Sequence, residues 1–157
     1  MRKLLTSGLV VFAGVVSPIA LSPHQTPKTN APDYRKDPRF EILRKFFVKN
    51  ECPAEKYSHV FLEAADNYHL DWRLLPSLSY IETTGGKMAR NNNMFGWDSG
   101  RAHFASPTAG IHAVGYLLSH ASQYRRKNLD QLLATYNPNS DYAPKVKSVM
   151  RRIAPVQ

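Results

Sequence analysis

Apolar residues return at intervals of three and four along most of the chain after residue 37, and this period divides it into helices. Phe40, Leu43 and Phe47 share a face behind Asp37-Pro38, a capping residue followed by proline at the first helical position. Tyr57, Val60, Phe61, Ala64 and Tyr68 make the stripe of a second helix over residues 55–69. Asp71 offers a cap for a third that reaches Glu82, with Pro76 late for its first turn and Gly85-Gly86 as its stop. Residues 87–105 lack the period and read as loop. Ser106-Pro107 is another cap with proline, ahead of Ile111, Val114, Leu118 and Ala121. Asn128 with Gln131 forms a capping box for a short helix ending at Tyr136. After the turn Asn137-Pro138-Asn139-Ser140, Asp141 is placed to cap a last helix with Val146, Val149, Met150 and Ile153 inward. No stretch alternates strongly as a strand does. The pattern predicts a small all-α domain of about six helices.

The segments before residue 37 differ. Met1-Arg2-Lys3, the apolar stretch Leu4–Val16 and the small residues Ser17, Ala20 and Ser22 read as an export signal over 1–22, too short to span a membrane comfortably. Pro18 and Pro23 disturb the cleavage positions, so both a removed signal and an uncleaved N-terminal anchor stay open. The expected location is the periplasm, the cell envelope or the exterior. Residues 23–36 hold three prolines and no apolar period and read as a flexible linker, which leaves 37–157 as the domain.

Charge changes the picture next. Lys and Arg number 21 against 12 Asp and Glu, a formal charge of +9. Residues 23–82 hold nine acids and nine bases, whereas 83–157 hold three acids and ten bases, so the excess lies in the C-terminal half. Arg125-Arg126-Lys127 and Arg151-Arg152 read most plainly as a solvated basic face, and the functional reading of the same clusters is attraction to an anionic envelope polymer or lipid. Nucleic acid is not expected as a partner, because the export signal argues against it and no helix-turn-helix or ribonucleoprotein signature is present. The single Cys52 excludes an internal disulfide. His59 with Glu63, and His112 with His120, share helix faces, but neither pair has an evident third ligand, so no metal and no cofactor are expected.

One acid stands out. Glu82 ends the third helix on the face of Leu75, Leu78 and Ser79, which is the apolar one. A carboxyl group there is expected to be shielded from water, and the negative end of a helix is an unfavourable place for an anion, so the position suits a proton donor. A helix-terminal Glu paired with Lys87 or Arg90 is the plainer reading of the same spacing. The loop that follows, Asn91-Asn92-Asn93-Met94-Phe95-Gly96-Trp97-Asp98, sets amides and aromatics beside this acid. Amides match sugar hydroxyl and acetamido groups, aromatic faces stack on sugar rings, and Gly96 lets backbone approach a ligand. Phe95 and Trp97 serve equally as anchors into a core.

At this point the chain resembles a known superfamily. Leu70-Asp71-Trp72-Arg73-Leu74-Leu75-Pro76-Ser77-Leu78-Ser79-Tyr80-Ile81-Glu82-Thr83-Thr84-Gly85-Gly86 resembles the catalytic helix of lysozyme-like peptidoglycan-cleaving enzymes, of the soluble lytic transglycosylase and bacterial N-acetylglucosaminidase types. Asn92-Asn93-Met94-Phe95-Gly96-Trp97 resembles their substrate loop, and Thr135-Tyr136-Asn137-Pro138-Asn139 with Tyr142-Ala143-Pro144-Lys145-Val146 their Tyr-Asn segment and the helix after it. The likeness spans about residues 55–153 and implies a substrate cleft. It implies that Glu82 is the catalytic acid/base, that Thr83 stands where transglycosylases usually carry Ser, and that Asn93, Phe95, Gly96 and Trp97 line the cleft. Phe104 and Ser106 would stand at its rim, and Tyr136 with Asn137 would orient Glu82 and the substrate's acetamido group. The Gly-Leu-Met-Gln element of typical transglycosylases is absent and the Phe-Gly-Trp loop replaces it, which leans toward the glucosaminidase side.

Standard glycosidases use two carboxylates, about 5–5.5 Å apart for retention or about 6.5–9.5 Å for inversion. After Glu82 only Asp98, Asp130 and Asp141 remain, and the latter two have positions that explain them at helix starts. Asp98 is therefore the one plausible second carboxylate, and a single-acid mechanism with help from the substrate's acetamido group is expected. The expected function is cleavage of peptidoglycan glycan strands by a monomer. A non-catalytic glycan-binding or scaffold protein on the same fold is the alternative.

Overall fold

The computed structural model describes residues 32–155, and the proposed export signal and most of the proposed linker lie outside the described residues. Among the described residues there are six α-helices and no strand, only an isolated bridge between Arg90 and Asn93. The helices are α1 (Pro38–Lys49), α2 (Ser58–Asn67), α3 (Leu74–Thr83), α4 (Pro107–His120), α5 (Leu129–Tyr136) and α6 (Tyr142–Ile153). The all-α class and the number of helices are those the periodicity predicts. None of the described helices is long and apolar enough to cross a membrane.

Two boundaries differ from the sequence expectation. Folded structure begins inside the segment read as linker, with a 3-10 turn at Tyr34–Lys36. Asp33 accepts a hydrogen bond from the Arg35 amide, Tyr34 packs against the core, and Arg35 reaches His59 of α2 at 3.2 Å. Polar capping and one aromatic anchor, rather than an apolar period, hold this piece. The third helix starts later than Asp71, at Leu74. The Asp71 carboxylate accepts from the backbone and the guanidinium of Arg73, closing a turn ahead of the helix. Pro76 thereby becomes the third helical residue. Amides in a helix's first turn have no intrahelical acceptor, so its missing N–H costs nothing there. At the start of α6 the capping bond is also elsewhere: the Asp141 side chain makes none, and Asn139 Oδ1 accepts from the Asp141 amide at 2.9 Å. The capping box of α5 forms as read, with Asn128 and Gln131 bonding reciprocally.

The core is one cluster. Phe47 and Phe61 sit at its centre with Leu75, Leu78, Ile111, Val114, Leu133 and Val146, all fully buried. Residues of this kind contribute about 1.5–3 kcal/mol each on burial. α3 is apolar all round near its start and lies against α6, while α2 packs on α4 and α5 on α6. This arrangement carries the end of α3 to the starts of α6 and of the 87–105 loop.

Candidate active site

Glu82 is the penultimate residue of α3, half-buried at the end of the row formed by the fully buried Leu75, Leu78 and Ser79. Its two carboxylate oxygens have different surroundings. Oε1 accepts a hydrogen bond of 2.6 Å from the hydroxyl of Tyr142, the first residue of α6. Oε2 faces the backbone of Gly96, where a side-chain carbon would come within 3.1 Å of it. Among the described residues Glu82 forms no ion pair; Lys87 pairs with Glu51 instead.

A cleft of about 370 Å³ opens beside this carboxylate, lined by Glu82, Phe95, Gly96, Trp97, Asp98, Ser99, Tyr124, Tyr136 and Asn137. Its walls are aromatic. Trp97 meets Tyr136 edge-on, with centroids 5.7 Å apart, and leans on Tyr124 at 6.2 Å. Tyr136 stacks on Tyr142 at 5.8 Å, nearly parallel. The Tyr136 hydroxyl donates to the Phe95 carbonyl at 2.7 Å, so it holds the loop rather than Glu82. Burial first, and then the Glu82 carboxylate beside them, push the Tyr136 and Tyr142 phenols well above their ordinary value. Both stay protonated donors across the physiological range.

The loop owes its shape to its asparagines. Asn91 and Asn92 have φ of +56° and +58°, the left-handed region that Asn tolerates better than most residues. Asn92 donates to the Phe104 carbonyl. Asn93 is 2% exposed and both ends of its amide are engaged: Nδ2 donates to the Trp97 carbonyl, and Oδ1 accepts from the Phe95 and Trp97 amides. The Asn93 side chain is thus the internal brace of the Phe-Gly-Trp turn, buried and with its carbonyl oxygen taken by two backbone amides.

Of the residues expected at a substrate site, the structure brings Glu82, Phe95, Gly96, Trp97, Asp98, Tyr136 and Asn137 to one cleft. Phe95 contributes chiefly backbone, since its ring is buried against Phe61. Thr83, Asn93, Phe104 and Ser106 are not among the lining residues. Thr83 is buried, donates to the Met94 carbonyl at 2.8 Å and accepts from the Gly86 amide, so it ties the loop to the end of α3. Phe104 packs over Gly110, and the Ser106 hydroxyl caps α4 by accepting from Ala109. Asp98 lines the cleft but is bound to Arg101 at 2.7 Å. Asp130, likewise, is held by Lys147.

Two residues of the site escape a reading of the residues by period and charge. Tyr142 opens the α6 stripe of Val146, Val149 and Ile153, and a tyrosine on a buried stripe needs a partner for its hydroxyl. Tyr124 lies in a segment without period. Among the described residues no group of three His, Cys, Asp or Glu is placed to hold a metal ion. Cys52 is buried, and burial pushes its thiol up, away from a reactive thiolate. The arrangement presents one oriented carboxyl group, aromatic walls and a backbone edge to whatever enters the cleft. Comparisons of the chain with protein-family models, with curated proteins and with solved structures find no match.

Proposed function

We propose that this cleft cleaves the glycan strands of peptidoglycan between N-acetylated amino sugars, as a lytic transglycosylase or an N-acetylglucosaminidase of lysozyme-like fold. One observation carries the reading: a half-buried carboxyl group, clamped by a phenol on one oxygen and with Gly96 beside the other, lines a cleft walled by tryptophan and tyrosine. With Oε1 occupied by the Tyr142 hydrogen, the proton to be transferred resides on Oε2. Aromatic faces suit sugar rings, and the Gly96 backbone suits a ligand passing close.

Glu82 gives its proton to the glycosidic oxygen as the bond from that oxygen to C1 breaks. The acetamido carbonyl oxygen of the same sugar takes the vacated bond to C1. Glu82, now a carboxylate, removes a proton from the group that reopens the ring. If that group is the sugar's own O6 hydroxyl, the product is a 1,6-anhydro end; if it is water, the product is a reducing end. Neither route needs a second carboxylate, which accords with Asp98 being bound to Arg101. An exported, monomeric protein acting on the envelope fits the reading of residues 1–22.

The test is digestion of purified peptidoglycan with mass spectrometry of the released fragments. Wild type should release muropeptides, and Glu82→Gln should release none while keeping its helical circular dichroism. A fully active Glu82→Gln variant overturns the proposal. A wild type that binds the polymer and releases nothing supports the non-catalytic glycan-binding alternative instead.

A further inference from the structure

Tyr124 belongs to two cavities. One of its sides faces the Glu82 cleft, and the other faces a groove of about 320 Å³ between the end of α2, the end of α4 and the 121–128 turn. The apolar part of this groove is the partly exposed Tyr68 and Leu70, laid over the buried Leu118 and Leu132. Its rim is Arg125, Arg126 and Lys127, and no Asp or Glu lines it. Among the described residues neither arginine has an ion pair or a side-chain hydrogen bond, and Lys127 reaches only the Thr135 hydroxyl. Arg126 is further held at φ +63°, a conformation that favours glycine or asparagine.

The chemistry of the groove is that of a ligand with two characters. Three unneutralised cations call for anionic groups. An apolar floor calls for small hydrocarbon groups beside them, which a phosphodiester polymer does not offer and a short peptide does. The groove adjoins the cleft in which the glycan strand is proposed to lie, with Tyr124 as the wall between them. We infer that it receives the peptide arm attached to that strand, with the arm's free carboxylates on Arg125, Arg126 and Lys127 and its methyl-bearing side chains on Tyr68 and Leu70. This inference rests on the glycan reading of the Glu82 cleft and adds to it that the substrate is the peptide-bearing strand rather than the bare one.

Binding can be read without cleavage. The Glu82→Gln chain is sedimented with purified, insoluble peptidoglycan, and in parallel with the same material stripped of its peptides by an amidase. The expected result is affinity at least about tenfold higher for the peptide-bearing polymer, and loss of that difference in Glu82→Gln/Arg125→Ser/Arg126→Ser with binding to stripped strands unchanged. Equal affinity for both polymers overturns the inference, as does an equal loss on both in the arginine variant, which marks general electrostatic attraction. If removal of wall-attached phosphodiester polymer, and not of peptide, lowers binding, the groove belongs to that polymer and the inference also fails. Because the readout is binding by an inert variant, a wild type that cleaves nothing sinks the catalytic reading alone.

Discussion

Tyr142 and Glu82 are sixty positions apart in the chain and 2.6 Å apart in space, joined by a hydrogen bond from the phenol to one carboxylate oxygen. The bond requires α3 and α6 to lie side by side, and it fixes one carboxylate oxygen while the other lies beside Gly96. Tyr142→Phe keeps the stacked ring and removes only the donor. Because Glu82 is half-buried and the cleft is open to water, the stability cost should stay near about 1 kcal/mol. If Glu82 is the acid, loss of its orientation should lower kcat on peptidoglycan by about ten- to a hundredfold with little change in KM. A variant with wild-type turnover would show that Glu82 needs no such clamp.

Asn93 makes a different prediction. Its amide satisfies three backbone groups of the loop, and its side chain is 2% exposed. Asn93→Ala leaves the Trp97 carbonyl and the Phe95 and Trp97 amides without these partners. Denaturant unfolding should show a loss of about 2–4 kcal/mol. Had Asn93 faced a ligand, as its amide suggests from sequence, the same change would weaken binding and leave stability nearly untouched.

The contrast shows what could be read in the chain and what could not. The starts of α1, α4 and α5 were legible because each carries its signal locally: Asp37-Pro38, Ser106-Pro107 and the Asn128–Gln131 box all cap the helices they precede. Glu82 was legible because a carboxylate at the end of the Leu75–Leu78 row breaks a pattern. Asn91, Asn92 and Asn93 shape the loop because Asn has two uses, as an amide for ligands and as a residue tolerant of left-handed backbone, and composition alone does not separate them. For Phe104 the local sequence is likewise silent on the packing over Gly110 that engages it, which appears only once α4 is in place, whereas the Ser106 hydroxyl is taken by the cap it forms on α4. Tyr142 and Tyr124 join the site through tertiary contacts that no local period encodes.

Asp98 tests whether one carboxylate suffices. It lines the cleft, yet Arg101 holds it at 2.7 Å and the pair is largely exposed. Asp98→Asn should keep at least about half of the wild-type rate and most of the stability, since exposed pairs contribute about 0.2–1 kcal/mol. A drop of a thousandfold would make Asp98 the second carboxylate of a two-acid mechanism.

The acid limb of stability should be governed away from the cleft. Arg39 donates to both oxygens of Asp37 and to both of Asp66, and these bonds hold the two carboxyl groups below the usual aspartate range. The folded protein therefore binds fewer protons than the unfolded chain as pH falls. The stabilisation is complete above the unfolded aspartate value of about 3.9 and is lost as pH drops through the lower folded values. Screening at these partly exposed sites limits it to about 1–2 kcal/mol. Arg39→Met should lower the melting temperature at neutral pH and flatten its dependence below about pH 4. An unchanged acid limb would place the sensitive groups elsewhere.

Gly96 and Gly100 separate backbone strain from crowding of the carboxylate. Both occupy the left-handed region, with φ of +59° and +81°. An alanine at either position costs about 1 kcal/mol for its conformation, because the side-chain carbon opposes that φ. The difference lies in what the added carbon meets. At Gly100 nothing lies within 4 Å, whereas at Gly96 it meets Glu82 Oε2 at 3.1 Å. Gly100→Ala should therefore lose stability by that small amount and keep its activity. Gly96→Ala should lose a similar amount or slightly more, and must also turn the Glu82 carboxyl away from the loop or lift the loop from it. Either movement displaces the oxygen proposed to carry the transferred proton, so kcat should fall at least about tenfold. Paired melting curves and initial rates on peptidoglycan for the two variants decide the matter, since equal activity in both would mean that the approach of Gly96 to Glu82 serves packing and not the reaction.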